Sequence, residues 1–100
     1  MRKSDLLRPV SVADRVSILQ FSVSQVCQIA DVTKMQLDYW TERARIPTQG
    51  QKQRLYDCDS VEFVMLIKQA RDIGFDVNAA IDAAAEFRAR RLKRTRRVAA

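Results

Sequence analysis

A mainly α-helical domain of about four helices with one short β element is the fold class the sequence predicts, and three observations predict it. Residues 22–40, SVSQVCQIADVTKMQLDYW, hold two helix starts separated by a tight polar break. Between residues 57 and 92 lie two longer apolar stripes at helical spacing. Between these regions, TQGQKQRLY at residues 48–56 combines a turn glycine with polar–apolar alternation. The chain has 100 residues, 47% hydrophobic, with only 2 Gly and 2 Pro, which suits one ordered helical domain with a single modest core. Together these features predict a winged helix-turn-helix with a small two-stranded β wing.

The first 20 residues show neither period cleanly. Arg2, Lys3 and Arg8 stand near Pro9, which breaks any early helix, and Val10, Val12, Val16, Ile18 and Leu19 follow irregularly. An extended arm on the core, an arm on a partner subunit, or a single helical turn from Ser11 to Asp14 all fit.

From Ser22 onward the signals are sharper. Ser22 with Gln25, and Thr33 with Gln36, both match the capping box, in which the hydroxyl oxygen accepts an N–H of the first turn and the later side chain reaches back. Ala30-Asp31-Val32 supplies the turn and an apolar residue to bury. Val23, Val26, Ile29 and Ala30 share one face of the first helix, with Gln25 and Gln28 outside. In the second helix Leu37, Trp40 and Ala44 form the inward stripe, leaving Lys34, Gln36, Asp38, Tyr39, Glu42 and Arg43 on the outer faces. Pro47 ends this helix. Gly50 then turns the wing, and Arg54-Leu55-Tyr56 emerges as its strand. Read plainly, the same residues are two helices of a small α domain followed by a polar loop.

The third helix is expected to start near Asp57 or Asp59 and to run to about Ile73. Phe63, Leu66 or Ile67, Ala70 and Ile73 lie on one face, with Val61 and Val64 beside them. Gly74 suits a left-handed stop. Asp76 then caps a fourth helix whose stripe is Val77, Ala80, Ile81, Ala84 and Phe87, and which could continue through Leu92.

Composition removes several function classes. With no His, only Cys27 and Cys58, and no CxxC pair, neither a zinc site nor another metal centre is expected. The cysteines read as reduced packing thiols, or as a redox pair if the fold brings them together. No secretory signal or membrane-length apolar run is present, so a cytoplasmic protein is expected. Without a glycine-rich phosphate loop or nucleophile motif, no enzyme activity and no cofactor are expected. Asp57 and Asp59 are explained by a helix start rather than a carboxylate pair.

The net charge of +6 is concentrated at one end. Residues 88–100 carry seven basic side chains and no acidic one, against eleven basic and twelve acidic over residues 1–87. Three segments follow: an N-terminal arm (1–20), a winged helix-turn-helix (21–87) and a basic tail (88–100). Inside the body the basic cluster is Arg43, Arg45, Lys52 and Arg54. The tail reads as a solvated or disordered end, or as a strip for non-specific phosphate contact, RNA or an acidic protein partner.

FSVSQVCQIADV, TKMQLDYWTE and RARIP, followed by RLYD and SVEFVMLIKQARDIGFDVNAAIDA, resemble the DNA-binding domain of the MerR family over roughly residues 21–86. The resemblance implies a transcription regulator whose second helix enters the major groove of double-stranded DNA while the wing reaches the backbone. By position it implies helix contacts at Thr33, Lys34, Gln36 and Tyr39 and wing contacts at Lys52, Arg54 and Tyr56, with Arg43 beside them. Tyr39 would donate to phosphate, and Gln36 could pair with adenine. Arg90, Arg91, Lys93 and Arg94 would be tail contacts. Trp40 is expected in the core.

The chain departs from the family pattern at Met35 and Asp38, where members commonly carry arginines, and at Lys52 and Gln53, where a glycine and tyrosine are usual. An aspartate there repels phosphate unless it pairs locally or accepts from cytosine. If these residues are the whole protein, the resemblance is to small stand-alone members, with no inducer pocket, no sensor cysteine loop and no small-molecule effector; if they are an excised domain, dimerisation and sensing belong to the remainder. Binding as a monomer, as head-to-tail copies or as a dimer through the arm or fourth helix all fit. Two other readings are an architectural, excisionase-like DNA-bending factor of a phage or mobile element, and a protein-interaction adaptor on a degenerate winged helix.

Overall fold

The computed structural model describes residues 2–9, 15, 16 and 18–99, with side chains described as far as Leu92. The helical turn expected at Ser11–Asp14 and the side chains of Lys93 and Arg94 lie outside the described residues. After a single 3-10 turn at Lys3–Leu6 come β1 (Gln20–Ser22), α1 (Val23–Ala30), α2 (Lys34–Arg43), β2 (Leu55–Asp57), α3 (Cys58–Asp72) and α4 (Val77–Ala99). The fold is a mainly helical winged helix-turn-helix, as the sequence predicts.

Local chemistry sets most boundaries. Both capping boxes form: Gln25 N–H donates to Ser22 Oγ at 3.3 Å and Ser22 N–H to Gln25 Oε1 at 2.8 Å, while the Thr33–Gln36 pair closes at 3.1 and 3.0 Å. Asp57 caps α3 by accepting from Ser60 N–H at 2.8 Å, and Asp76 caps α4 by accepting from Ala79 N–H at 2.8 Å. Gly74 (φ +108°) ends α3, with Phe75 N–H reaching back to Ala70 O and Gly74 N–H to Arg71 O. The same closure ends α2, where Ile46 N–H donates to Thr41 O and Arg45 N–H to Glu42 O. Its left-handed residue is Arg45 (φ +53°), a conformation that costs a non-glycine residue about 1–2 kcal/mol. That turn drives Ile46 into the core before Pro47 is reached.

The small sheet differs from the expected hairpin in one respect. β2 pairs antiparallel with β1, Phe21 opposite Tyr56, and β1 precedes the helix-turn-helix in sequence. Within the wing loop the closure is one bridge, in which Gln49 and Leu55 exchange both backbone bonds at 2.8 Å. Three-residue β1 has too few positions to display a period, so only its long-range partner identifies it.

The core joins α1 (Val26, Ala30), the turn (Val32), α2 (Leu37, Trp40), β2 (Tyr56) and α3 (Val61, Phe63, Val64, Ile67, Ala70) to Ala80 and Ala84 of α4. The two alanines let α4 lie close along α3. Three residues assigned to inward stripes instead face solvent: Ile29 is 45% exposed, Ile73 71% and Phe87 53%. Each stands at the margin of its stripe and is only partly covered. α4 runs on through the residues expected to form a separate tail. Its 23 residues, roughly 35 Å of helix, help extend the molecule to 61 × 37 × 26 Å.

Candidate nucleic-acid interface

Helix α2 turns a polar and charged face to solvent. Leu37 and Trp40 anchor it in the core, 0% and 2% exposed, which turns Lys34, Met35 and Tyr39 outward. Met35 is 82% exposed and Tyr39 52%. Thr33 and Gln36 are surface residues already engaged in the cap. Gln36 Oε1 accepts from Thr33 N–H, which leaves its Nε2 as the group available to a ligand.

Two side-chain links bind α2 to β2. Residues 38 and 41 are three apart and share a helix face, while Arg54 and Tyr56 are two apart and share a side of the extended chain. Tyr56 is fully buried and its hydroxyl lies 2.6 Å from Thr41 Oγ1. Since Thr41 donates its only hydroxyl hydrogen to Leu37 O at 2.6 Å, Tyr56 must be the donor of this pair. The wing contact expected at Tyr56 is therefore corrected: its ring belongs to the core and offers DNA no surface. Burial pushes its hydroxyl pKa up, opposed by the nearby charge of Arg54.

The outer link is the ion pair between Arg54 Nη2 and Asp38 Oδ1. Lys34 Nζ lies 3.7 Å from the other carboxylate oxygen. The hydrogen bond from Arg54 holds Asp38 below the usual carboxylate range, with the charges of Arg54 and Lys34 adding to the effect. Asp38 thus pairs locally, one of the two conditions under which an aspartate on this helix is compatible with DNA. The guanidinium carbon of Arg54 sits 5.5 Å from the Tyr56 ring centroid, and its Nε is buried without a hydrogen-bond partner.

The other expected contacts are more scattered. Arg43 Nε donates to Asn78 Oδ1 at 3.2 Å, tying the end of α2 to the start of α4. Arg43 also lines a shallow depression with Tyr39, Glu42 and Arg45. Lys52 is exposed in the loop that Gly50 turns. Arg90 pairs with Glu86 one turn earlier, and Arg91 with Glu62 of α3. Sequence reasoning missed the roles of Thr41 and of Arg45. The three-residue step from Asp38 to Thr41, set against the two-residue step from Arg54 to Tyr56, was the available signal for the first. For Arg45, only its place in the basic cluster hinted at a role.

A family model described as MerR HTH family regulatory protein matches residues 21–86. The chain is similar in structure to a transcriptional regulator of the MerR family from Bacillus cereus, with a TM-score of 0.59 and 21% sequence identity. That likeness covers 80% of this chain, which spans 66% of the other chain's length. No curated protein matches the sequence.

Proposed function

Because the chain belongs to the MerR helix-turn-helix family of regulatory proteins, we propose that it is a sequence-specific transcription regulator that places α2 in the major groove of double-stranded DNA and its 48–54 loop on the flanking backbone. The observation that carries this reading is the outward face of α2, where Lys34, Met35 and Tyr39 stand exposed on a helix fixed from behind by Leu37 and Trp40.

In this reading Lys34 and Arg43 neutralise phosphates, Tyr39 donates its hydroxyl to one, and Gln36 Nε2 donates to a base edge. Lys52 meets the backbone from the loop. Thr33 acts through the cap that orients this turn. Met35 supplies apolar contact, of the kind a thymine methyl accepts. Arg90 and Arg91, where they leave their carboxylate partners, add sequence-independent attraction. A second copy bound alongside on the DNA is the proposed protein partner, and no small-molecule effector is invoked. The site of action is with the DNA; among the described residues no helix is long and apolar enough to cross a membrane.

Gel-shift titration at several salt concentrations tests the reading. Lys34→Ala should weaken binding to every sequence and lower the slope of log affinity against log salt by about one. Tyr39→Phe should weaken binding with little change in that slope. Unchanged titrations for both variants would remove α2 from the interface. Loss of all affinity on replacing Arg90 and Arg91 by Gln would make α4, and not α2, the binding element.

A further inference from the structure

We propose that Asp38 is a positioning residue that holds the loop before β2 against α2 through Arg54, lowering overall DNA affinity while raising discrimination between sequences; this rests on the DNA-binding reading above. The two links between α2 and β2 differ in kind. Thr41–Tyr56 is buried and fixes the strand itself. Asp38–Arg54 is the outer link, with side chains 43% and 31% exposed, and it stands where the chain leaves the loop and enters β2. The loop's first residues are tied down by the Gln49–Leu55 bridge, by Gln20 Nε2 donating to Gln49 Oε1 and by Ser60 Oγ donating to Pro47 O at 2.8 Å, whereas its far end is tied to α2 by Asp38–Arg54.

Arg54 is committed to this pairing. Its Nε is buried without a hydrogen-bond partner, so the guanidinium is oriented by its Nη end on Asp38 and by the Tyr56 ring beneath it. A covered guanidinium edge is tolerable next to a carboxylate and costly without one. Removing the carboxylate should therefore release Arg54 toward solvent and free the loop.

The charge count gives the second half of the inference. Lys34, Asp38 and Arg54 together carry a net charge of +1, where the two cations alone would carry +2. A phosphate is still attracted to this cluster, but by one charge rather than two. The attraction surrendered is of the sequence-independent kind, which acts on every DNA alike. The rigidity gained is what lets helix and loop address one fixed register of the duplex.

Asp38→Asn keeps the shape and removes the charge. Hydrogen exchange on the free protein should show the Gln49 and Leu55 amides exchanging faster in Asp38→Asn and in Arg54→Gln, and no faster again in the double variant. In DNA titrations Asp38→Asn should bind random duplex more tightly than wild type at low salt. Its salt slope should steepen by about one, roughly a further three- to four-fold loss between 50 and 200 mM. Its ratio of selected to random affinity should fall. Unchanged amide exchange would overturn the link. Weaker binding confined to sites with cytosine at one position would overturn it too, making Asp38 a base reader. If wild-type protein shows no preference among sequences, the discrimination half fails with the DNA-reading proposal, while the exchange experiment still decides the link.

Discussion

Tyr56 shows how the surroundings of one side chain decide its role. Burial favours the neutral hydroxyl, so its folded-state pKa lies above the ordinary value. The stability this gives is complete below the unfolded pKa of about 10 and is lost as pH rises through the folded value. Urea unfolding followed by the fluorescence of Trp40, the one tryptophan, should therefore show a midpoint that falls at strongly alkaline pH. Tyr56→Phe should abolish that fall, at a cost of about 1 kcal/mol near neutrality for the lost hydrogen bond. An equally steep alkaline decline in the variant would contradict the assignment. Asp38 has the opposite sign. Its lowered pKa stabilises the fold above the unfolded carboxylate value of about 4, and that contribution disappears as pH falls through the folded value. Asp38→Asn should flatten this part of the acid profile. Two glycines separate strain from space. Gly50 (φ +89°) would place a Cβ 2.2 Å from Gln53 O, whereas Gly74 (φ +108°) has open space around it. Gly74→Ala should thus cost on the order of 1–2 kcal/mol from backbone strain alone, and Gly50→Ala more, with faster amide exchange at Gln49 and Leu55.

Helix α2 has 10 residues, too short to persist alone in water, so its stability comes from its cap and its buried face. Thr33→Ala should cost about 1 kcal/mol and Leu37→Ala roughly 2–5 kcal/mol, both read from urea midpoints. A Thr33→Ala variant as stable as wild type would mean that the cap contributes nothing in water. Elements of this kind were legible in the sequence because their determinants are local: Ser22 with Gln25, Thr33 with Gln36, Gly74 after a completed stripe. What escaped was non-local. β1 is recognised only through β2, more than thirty residues later, and Asp38 meets Arg54 across 16 positions. Tyr56 was misjudged because a strand residue with a hydroxyl reads equally as a surface donor or as a core ring. Periodicity located each helix face but not its margins, which is why Ile29, Ile73 and Phe87 were placed inside. Within the candidate interface, exposure of Lys34 and Tyr39 followed from the stripe opposite them; the partners of Arg43 and Arg54 did not.

At the scale of the molecule, α4 reaches out from a small core, and the face it shares with α3 leaves Met65, Ile73, Phe75 and Phe87 each 42–71% exposed. An apolar surface rimmed by Glu62, Lys68, Asp72 and Arg91 has the composition of an interaction site. The central claim is that the exposed face of α2 reads sequence, and enrichment from a random duplex pool tests it most directly. Wild-type protein should enrich one motif and bind it more tightly than random DNA at physiological salt, and Lys34→Ala should weaken binding to both. A pool that emerges unenriched, with random and selected duplexes bound alike, would contradict the account.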